Sequence, residues 1–107
     1  MISKRILMAK LENVTVVKEA NIYYDGKVTS RTVELADGST QSLGIMLPGE
    51  YTFGTNEAEI MEMLSGDLEI KLPNEEWKTL NTPETFEIAA NSSFDLKIKT
   101  VTDYCCS

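Results

Sequence analysis

Histidine is missing from this sequence of 107 residues. Its absence removes the imidazole that most transition-metal sites rely on. Basic residues are scarce as well. Ten lysines and arginines stand against 17 aspartates and glutamates, a net charge of -7. A chain this acidic lacks the basic stripe that a nucleic-acid backbone requires. An anionic membrane surface would repel it. Cysteine is confined to Cys105 and Cys106. Adjacent residues rarely meet disulfide geometry, and without a CxxC pair there is no zinc or redox motif. Two free thiols fit a reducing compartment, so a cytoplasmic protein is expected. Long apolar runs are lacking too. The N-terminal "MISKRILMAKL" is interrupted by Lys10 and is too short for a secretory or membrane-spanning segment. Residues 1 to 10 read as an extension. Residues 11 to 107 read as one domain with one core.

Helical periodicity is also absent over any long stretch. Short alternating runs separated by turn residues take its place. Asp25-Gly26 and Asp37-Gly38 are hairpin signals. Between them Thr29, Arg31, Val33 and Leu35 share one parity, and Val28, Ser30, Thr32 and Glu34 share the other. Period two therefore predicts Arg31 on the more apolar face. "DLEIKL" places Leu68, Ile70 and Leu72 on one side. "SFDLKIKTV" does the same with Phe94, Leu96 and Ile98, and "DYCC" reads as a last strand. Nine or ten short strands are expected, which makes an all-β, single-domain barrel or jelly roll.

Small cupin barrels carry two spaced motifs whose three histidines and one glutamate hold a metal. Here Glu59 is followed by six residues and then Gly66, as in the second half of the first motif. The same spacing puts Phe53 and Thr55 at the two histidine positions. Laying the second motif on Pro83 to Phe94 places Phe94 at the third. The identities are lost where the spacing survives. One carboxylate and one hydroxyl do not make a transition-metal site, so no metal is expected. Two rings, a hydroxyl and a carboxylate instead suit a flat heteroaromatic ring stacked on aromatics, with the carboxylate reaching sugar hydroxyls. Tyr51 shares parity with Phe53, and Met61 and Met63 with Glu59.

The segments "NIYYDGKVTSRTV", "LGIMLPGEYTFGTNEAEIMEMLSGDLEIKLP", "NSSFDLKIK" and "VTDYCCS" resemble the pyrimidine/purine nucleoside phosphorylase family of small cupins. The most specific part is "GEYTFGT" followed by "EAE", a methionine and "SG". The resemblance runs from about Asn13 to Ser107. It implies a metal-free cupin, a homodimer, and a role in nucleoside salvage. The implied reaction uses inorganic phosphate as co-substrate and no cofactor. It cleaves purine and pyrimidine nucleosides to free base and ribose 1-phosphate. The chain departs from the family at Pro83 and Ala89, where Gly and Pro are usual.

Phosphorolysis passes through an oxocarbenium-like transition state. The phosphate must be held, the leaving base hydrogen-bonded, and the ribose oriented and its charge stabilised. Glu59 and Glu57 are candidate catalytic groups for the ribose, against a solvated acidic loop as the plain alternative. Arg31 is a candidate phosphate or base clamp, against an ordinary surface arginine. Thr52 and Thr55 offer hydroxyls. Tyr51, Phe53, Phe94, Met61 and Tyr104 are candidate substrate-binding residues, against ordinary barrel core. Two other functions fit the same residues: a non-catalytic cupin that binds a nucleoside or sugar, and a metal-free sugar isomerase.

Overall fold

Apolar and polar side chains alternate along strands that have one wet face and one dry one, and the pattern is kept almost throughout this chain. The structure, a computed structural model, describes residues 10–107. Apart from Lys10, the expected N-terminal extension lies outside the described residues. Among the described residues, eleven strands run β1 (Thr15–Val16), β2 (Asn21–Tyr23), β3 (Val28–Glu34), β4 (Thr40–Met46), β5 (Gly49–Gly54), β6 (Glu59–Ser65), β7 (Leu68–Lys71), β8 (Lys78–Leu80), β9 (Glu84–Ile88), β10 (Ser93–Ile98) and β11 (Thr102–Cys106). They form two antiparallel sheets. The larger has the order β1-β3-β4-β11-β6-β9, with β2 also pairing with β3. The smaller has the order β5-β10-β7-β8.

The two sheets close a core between their inner faces. Phe94, Leu96 and Ile98 of β10 are buried, as are Leu68 and Ile70 of β7. Met61 and Met63 of β6, Val28 of β3 and Met46 of β4 meet them from the larger sheet. Each such side chain contributes about 1.5–3 kcal/mol by leaving water. The all-β barrel expected from the alternation is therefore present.

Both hairpin signals are used. Asp37 accepts from the backbone N–H and the hydroxyl of Ser39, at 2.9 and 2.6 Å, and turns β3 into β4. Those two bonds hold its carboxyl below the usual range. Tyr24 and Asp25 take left-handed backbone angles and connect β2 to β3. At Gly66 the chain passes from the larger sheet to the smaller with φ +121°, and a Cβ there would strike Thr102.

One expectation needs correction. Arg31 shares its parity with Val33, but that face is the outer one, and Arg31 is exposed beside Leu43 of β4. The inner face of β3 belongs to Val28 and Ser30. Leu68 and Ile70, which the alternation of β7 places on one side, are both fully buried.

Candidate active site

A cavity of about 220 Å³ opens between the two sheets, at the end of the barrel where β6 begins and β11 finishes. Its two walls differ in chemistry. Phe53 of β5 and Phe94 of β10, directly paired across the smaller sheet, supply rings 5.9 Å apart and tilted by 33°. Tyr23 meets Phe53 edge-on at 6.1 Å. The larger sheet supplies Ser30, Ser42, Glu59, Tyr104 and Cys106, with Met46 and Met61 beneath them. One side is thus a set of flat π-faces. The other is a row of hydroxyls, a thiol and a carboxylate.

The strands place these groups through simple register. β6 starts at Glu59 and points Glu59, Met61 and Met63 inward. In β11, Tyr104 and Cys106 share the inner face, and Cys106 lies opposite Met61 on one side and Ser42 on the other. The Cys106 thiol donates to Glu59 Oε1 at 3.6 Å. Burial, together with that carboxylate, pushes the thiol up to about 12, so it stays protonated. Tyr104 is also raised to about 12, chiefly by burial, and its hydroxyl donates to the Thr29 carbonyl at 3.3 Å. Its ring lies close over Gly44. A Cβ at Gly44 would collide with the Thr29 carbonyl oxygen and come within 2.8 Å of the ring. Asn21 donates to Ser30 Oγ and Thr32 Oγ1, both at 3.2 Å, and steadies the rim.

Of the residues expected from the sequence, Phe53, Glu59, Met61, Phe94 and Tyr104 line this cavity. Tyr51 braces it from behind. Its ring contacts Phe53 at 6.3 Å and Tyr24 at 4.9 Å, and its hydroxyl donates to the Leu47 carbonyl at 2.6 Å. Burial, then the neighbouring Tyr24, raises its pKa. Thr55 is buried, and its hydroxyl is committed. It donates to the Ala89 carbonyl at 2.7 Å and accepts from the Ser92 N–H at 3.0 Å, so it ties β5 to the turn before β10. Thr52 is exposed and donates to Asp95 at 2.8 Å. Glu57 is exposed in the loop between β5 and β6, outside the lining. Arg31 is on the far face of the larger sheet, so the structure does not bring it to this cavity. No lysine or arginine lines the cavity among the described residues.

Tyr23, Ser30, Ser42 and Cys106 belong to the site without having been expected there. Ser30 shares parity with Val28 and Cys106 with Tyr104, but the sequence alone did not tell which parity of either strand faces inward. Metal ligation finds little support in this donor set. The lining offers only the Glu59 carboxylate and the Cys106 thiol, and no cluster of three metal-binding acids or thiols occurs among the described residues.

The cavity surrounds the positions that the motif spacing singled out, Phe53, Glu59 and Phe94. A family model described as pyrimidine/purine nucleoside phosphorylase matches residues 18–107. The chain belongs to this pyrimidine/purine nucleoside phosphorylase family. A family member from Sulfurimonas denitrificans carries that name and is 77% identical over 100 residues, covering 94% of this chain and 97% of the relative. A solved structure of a protein of unknown function from Acinetobacter sp. ADP1 superposes with a TM-score of 0.88 at 35% identity, over 92% of this chain and 96% of that one. The EutQ protein of Clostridium difficile aligns with a TM-score of 0.61 at 15% identity, over 74% and 64% of the two chains, a likeness of fold alone. The departures from the family pattern, Pro83 and Ala89, flank β9 and lie outside the cavity lining.

Proposed function

We infer that the chain is a nucleoside phosphorylase of broad specificity, an enzyme that cleaves purine and pyrimidine nucleosides with phosphate to free base and ribose 1-phosphate. Family membership supplies the reaction. The observation that carries the reading onto this structure is one carboxylate, Glu59, facing paired rings across an open cavity. The base stacks against Phe53 and Phe94, which favour any flat ring and read little of its edge. Met61 beneath adapts to bases of different outline. Glu59 takes the ribose hydroxyls and stabilises the positive charge that develops at C1′.

Tyr104 keeps its proton far above neutral pH and gives it to the Thr29 carbonyl, so it borders the substrate as a neutral ring with its hydroxyl oxygen left to accept. With no cation in the lining, phosphate is held by hydroxyl donors such as that of Ser42. Such a subsite binds phosphate weakly and operates best where phosphate is abundant.

The enzyme works without cofactor or metal, in nucleoside salvage. Free thiols support a cytoplasmic setting. Among the described residues, no helix is long and apolar enough to cross a membrane. Neither a membrane nor a nucleic acid is a partner, in keeping with the acidic chain. A homodimer is supported by the outer face of the larger sheet, where Leu43, Ile45 and Ile60 stay 38–44% exposed around a buried Cys105. Light scattering on the purified protein tests that state, and a monomer at working concentration would refute it.

The activity is tested with uridine and adenosine, each with and without phosphate, by measuring free base and ribose 1-phosphate. Base release that depends on phosphate is expected. Release without phosphate would make the protein a hydrolase, and binding without turnover would make it a nucleoside-binding cupin.

A further inference from the structure

We propose that Cys106 is a positioning residue for Glu59, its thiol holding the carboxylate in the orientation that meets the ribose. The inference rests on the phosphorylase reading and adds a residue to its site. The two side chains come from neighbouring strands and enter the cavity from the same sheet. Their backbone frame is tight at this point. Ile60 N–H donates to the Ser107 carbonyl at 2.8 Å, and Ser107 N–H returns a bond to the Ile60 carbonyl at 2.9 Å. This pair of bonds forms one rung, next to Glu59 on β6 and next to Cys106 on β11. The thiol then reaches Glu59 Oε1 at 3.6 Å.

A glutamate has three side-chain torsions, and an unheld carboxylate at a cavity mouth samples several rotamers. A donor fixed in a strand removes that freedom before substrate arrives. A thiol is a weak donor, but it is suited to this place. Burial and the carboxylate itself keep it protonated, and no basic group in the lining competes for the proton. The other titratable groups facing it are the phenols of Tyr104 and Tyr23, which share the cavity, while the adjacent Cys105 thiol acts on it from the opposite face of the sheet.

Cys105 serves as an internal contrast. It is the preceding residue, so it points to the opposite face of the sheet, where its thiol donates to Gln41 Oε1 at 3.4 Å. The two thiols are therefore separate donors, one to each face.

Two measurements test the assignment. The first is steady-state phosphorolysis by wild type, Cys106→Ala, Cys106→Ser, Glu59→Gln and the Cys106→Ala/Glu59→Gln pair. Losing a modest hydrogen bond to a charged group predicts a fall in kcat of about fivefold for Cys106→Ala. Serine, which keeps a donor, is expected to restore kcat to within about twofold. In the Glu59→Gln background the alanine change is expected to have no further effect. An alanine effect of the same size in both backgrounds, or a serine variant as poor as alanine, would overturn the proposal.

The second measurement needs no turnover. In a Cys105→Ser protein, Cys106 is the one remaining thiol. Its alkylation by iodoacetamide is followed near pH 9. With Glu59 present the thiol is held protonated and reacts slowly, and Glu59→Gln is expected to speed the reaction several-fold. Equal rates in the two proteins would show that the carboxylate does not engage the thiol and would refute the positioning role. A wild type that releases no base with phosphate would instead remove the phosphorylase reading, and the alkylation result would still decide the contact.

Discussion

The two walls of the cavity are built on opposite plans. The smaller sheet offers Phe53 and Phe94, held by ring contacts to Tyr23, Tyr24 and Phe86. Each ring there is fixed by packing, and none depends on a proton or a charge. The larger sheet offers Ser30, Ser42, Glu59, Tyr104 and Cys106, each oriented through hydrogen bonds or register. Packing tolerates substrates of varied outline, whereas a hydrogen-bonded row demands fixed positions. The division assigns breadth to one wall and chemistry to the other. The base, which varies between substrates, meets the rings. The ribose, which is shared by them, meets the carboxylate.

Damage to the foundation of the polar wall should have the largest effect. Gly44→Ala places a methyl group against the Thr29 carbonyl and the Tyr104 ring, and it is expected to cost about 3 kcal/mol of stability. Thermal unfolding measures it, and an unchanged Tm would show that the close approach is not needed. Next, Glu59→Gln is expected to lower kcat about 100-fold with the fold intact, because a neutral amide does not stabilise the oxocarbenium charge. Near-normal kcat would end the assignment of chemistry to this wall.

On the aromatic wall, Phe53→Ala is expected to raise nucleoside KM about tenfold, and by similar factors for purines and pyrimidines. If only one class of base were affected, the rings would be reading identity, and the proposed division between the walls would fail.

Alkaline pH separates the walls further. Tyr104, Cys105 and Cys106 are all raised to about 12, from ordinary values of 10.0, 9.0 and 9.0, and burial is the first cause in each case. A group whose folded pKa is raised contributes its stability fully below the unfolded pKa and loses it as pH climbs towards the folded one. Stability is therefore expected to be flat up to about pH 9 and to fall progressively towards pH 12. In denaturant melts Cys105→Ser should reduce that fall, and a flat profile through pH 11 would contradict the burial of these groups. The smallest effect belongs to Arg31→Ala, expected to leave kcat within about twofold, since this side chain lies outside both walls. A large loss would mean that the outer face of the sheet contributes to catalysis.

Much of this site could be read from the sequence, and the reason is spacing. Glu59, Phe53 and Phe94 sit at positions that a barrel of this kind turns inward, so their distance along the chain already implied a shared cavity. Arg31 and Ser30 show where that reasoning stops. Alternation tells which residues of β3 share a face, but not which face is inside. Val28 and Val33 lie on opposite faces, and both are buried, so apolar content could not decide between them. Cys106 escaped for a related reason. Identical side chains on adjacent residues carry no contrast between faces until β4 and β6 are placed on either side of β11. Tyr23 was out of reach because its role arises between sheets, through a ring of β5. Thr55 occupies a motif position, yet its hydroxyl is consumed by the turn at Ala89 and Ser92, a partnership made by a segment 34 residues away.

The phenol of Tyr24 has a bearing on how this protein keeps to itself. Strand β5 is the rim of the smaller sheet, with β10 on one side only. The Tyr24 hydroxyl donates to the Thr52 carbonyl at 2.6 Å and accepts from the Thr52 N–H at 2.9 Å. A single side chain therefore occupies both the donor and the acceptor that an incoming strand would need at the middle of that rim. Unpaired rims are templates for unwanted strand addition, and folded proteins blunt them with bulges, charges or covering segments. Here a side chain from a tight turn provides the cover. The same turn follows directly on Tyr23 at the cavity mouth, so the guard against aggregation and the entrance to the site are built from neighbouring residues.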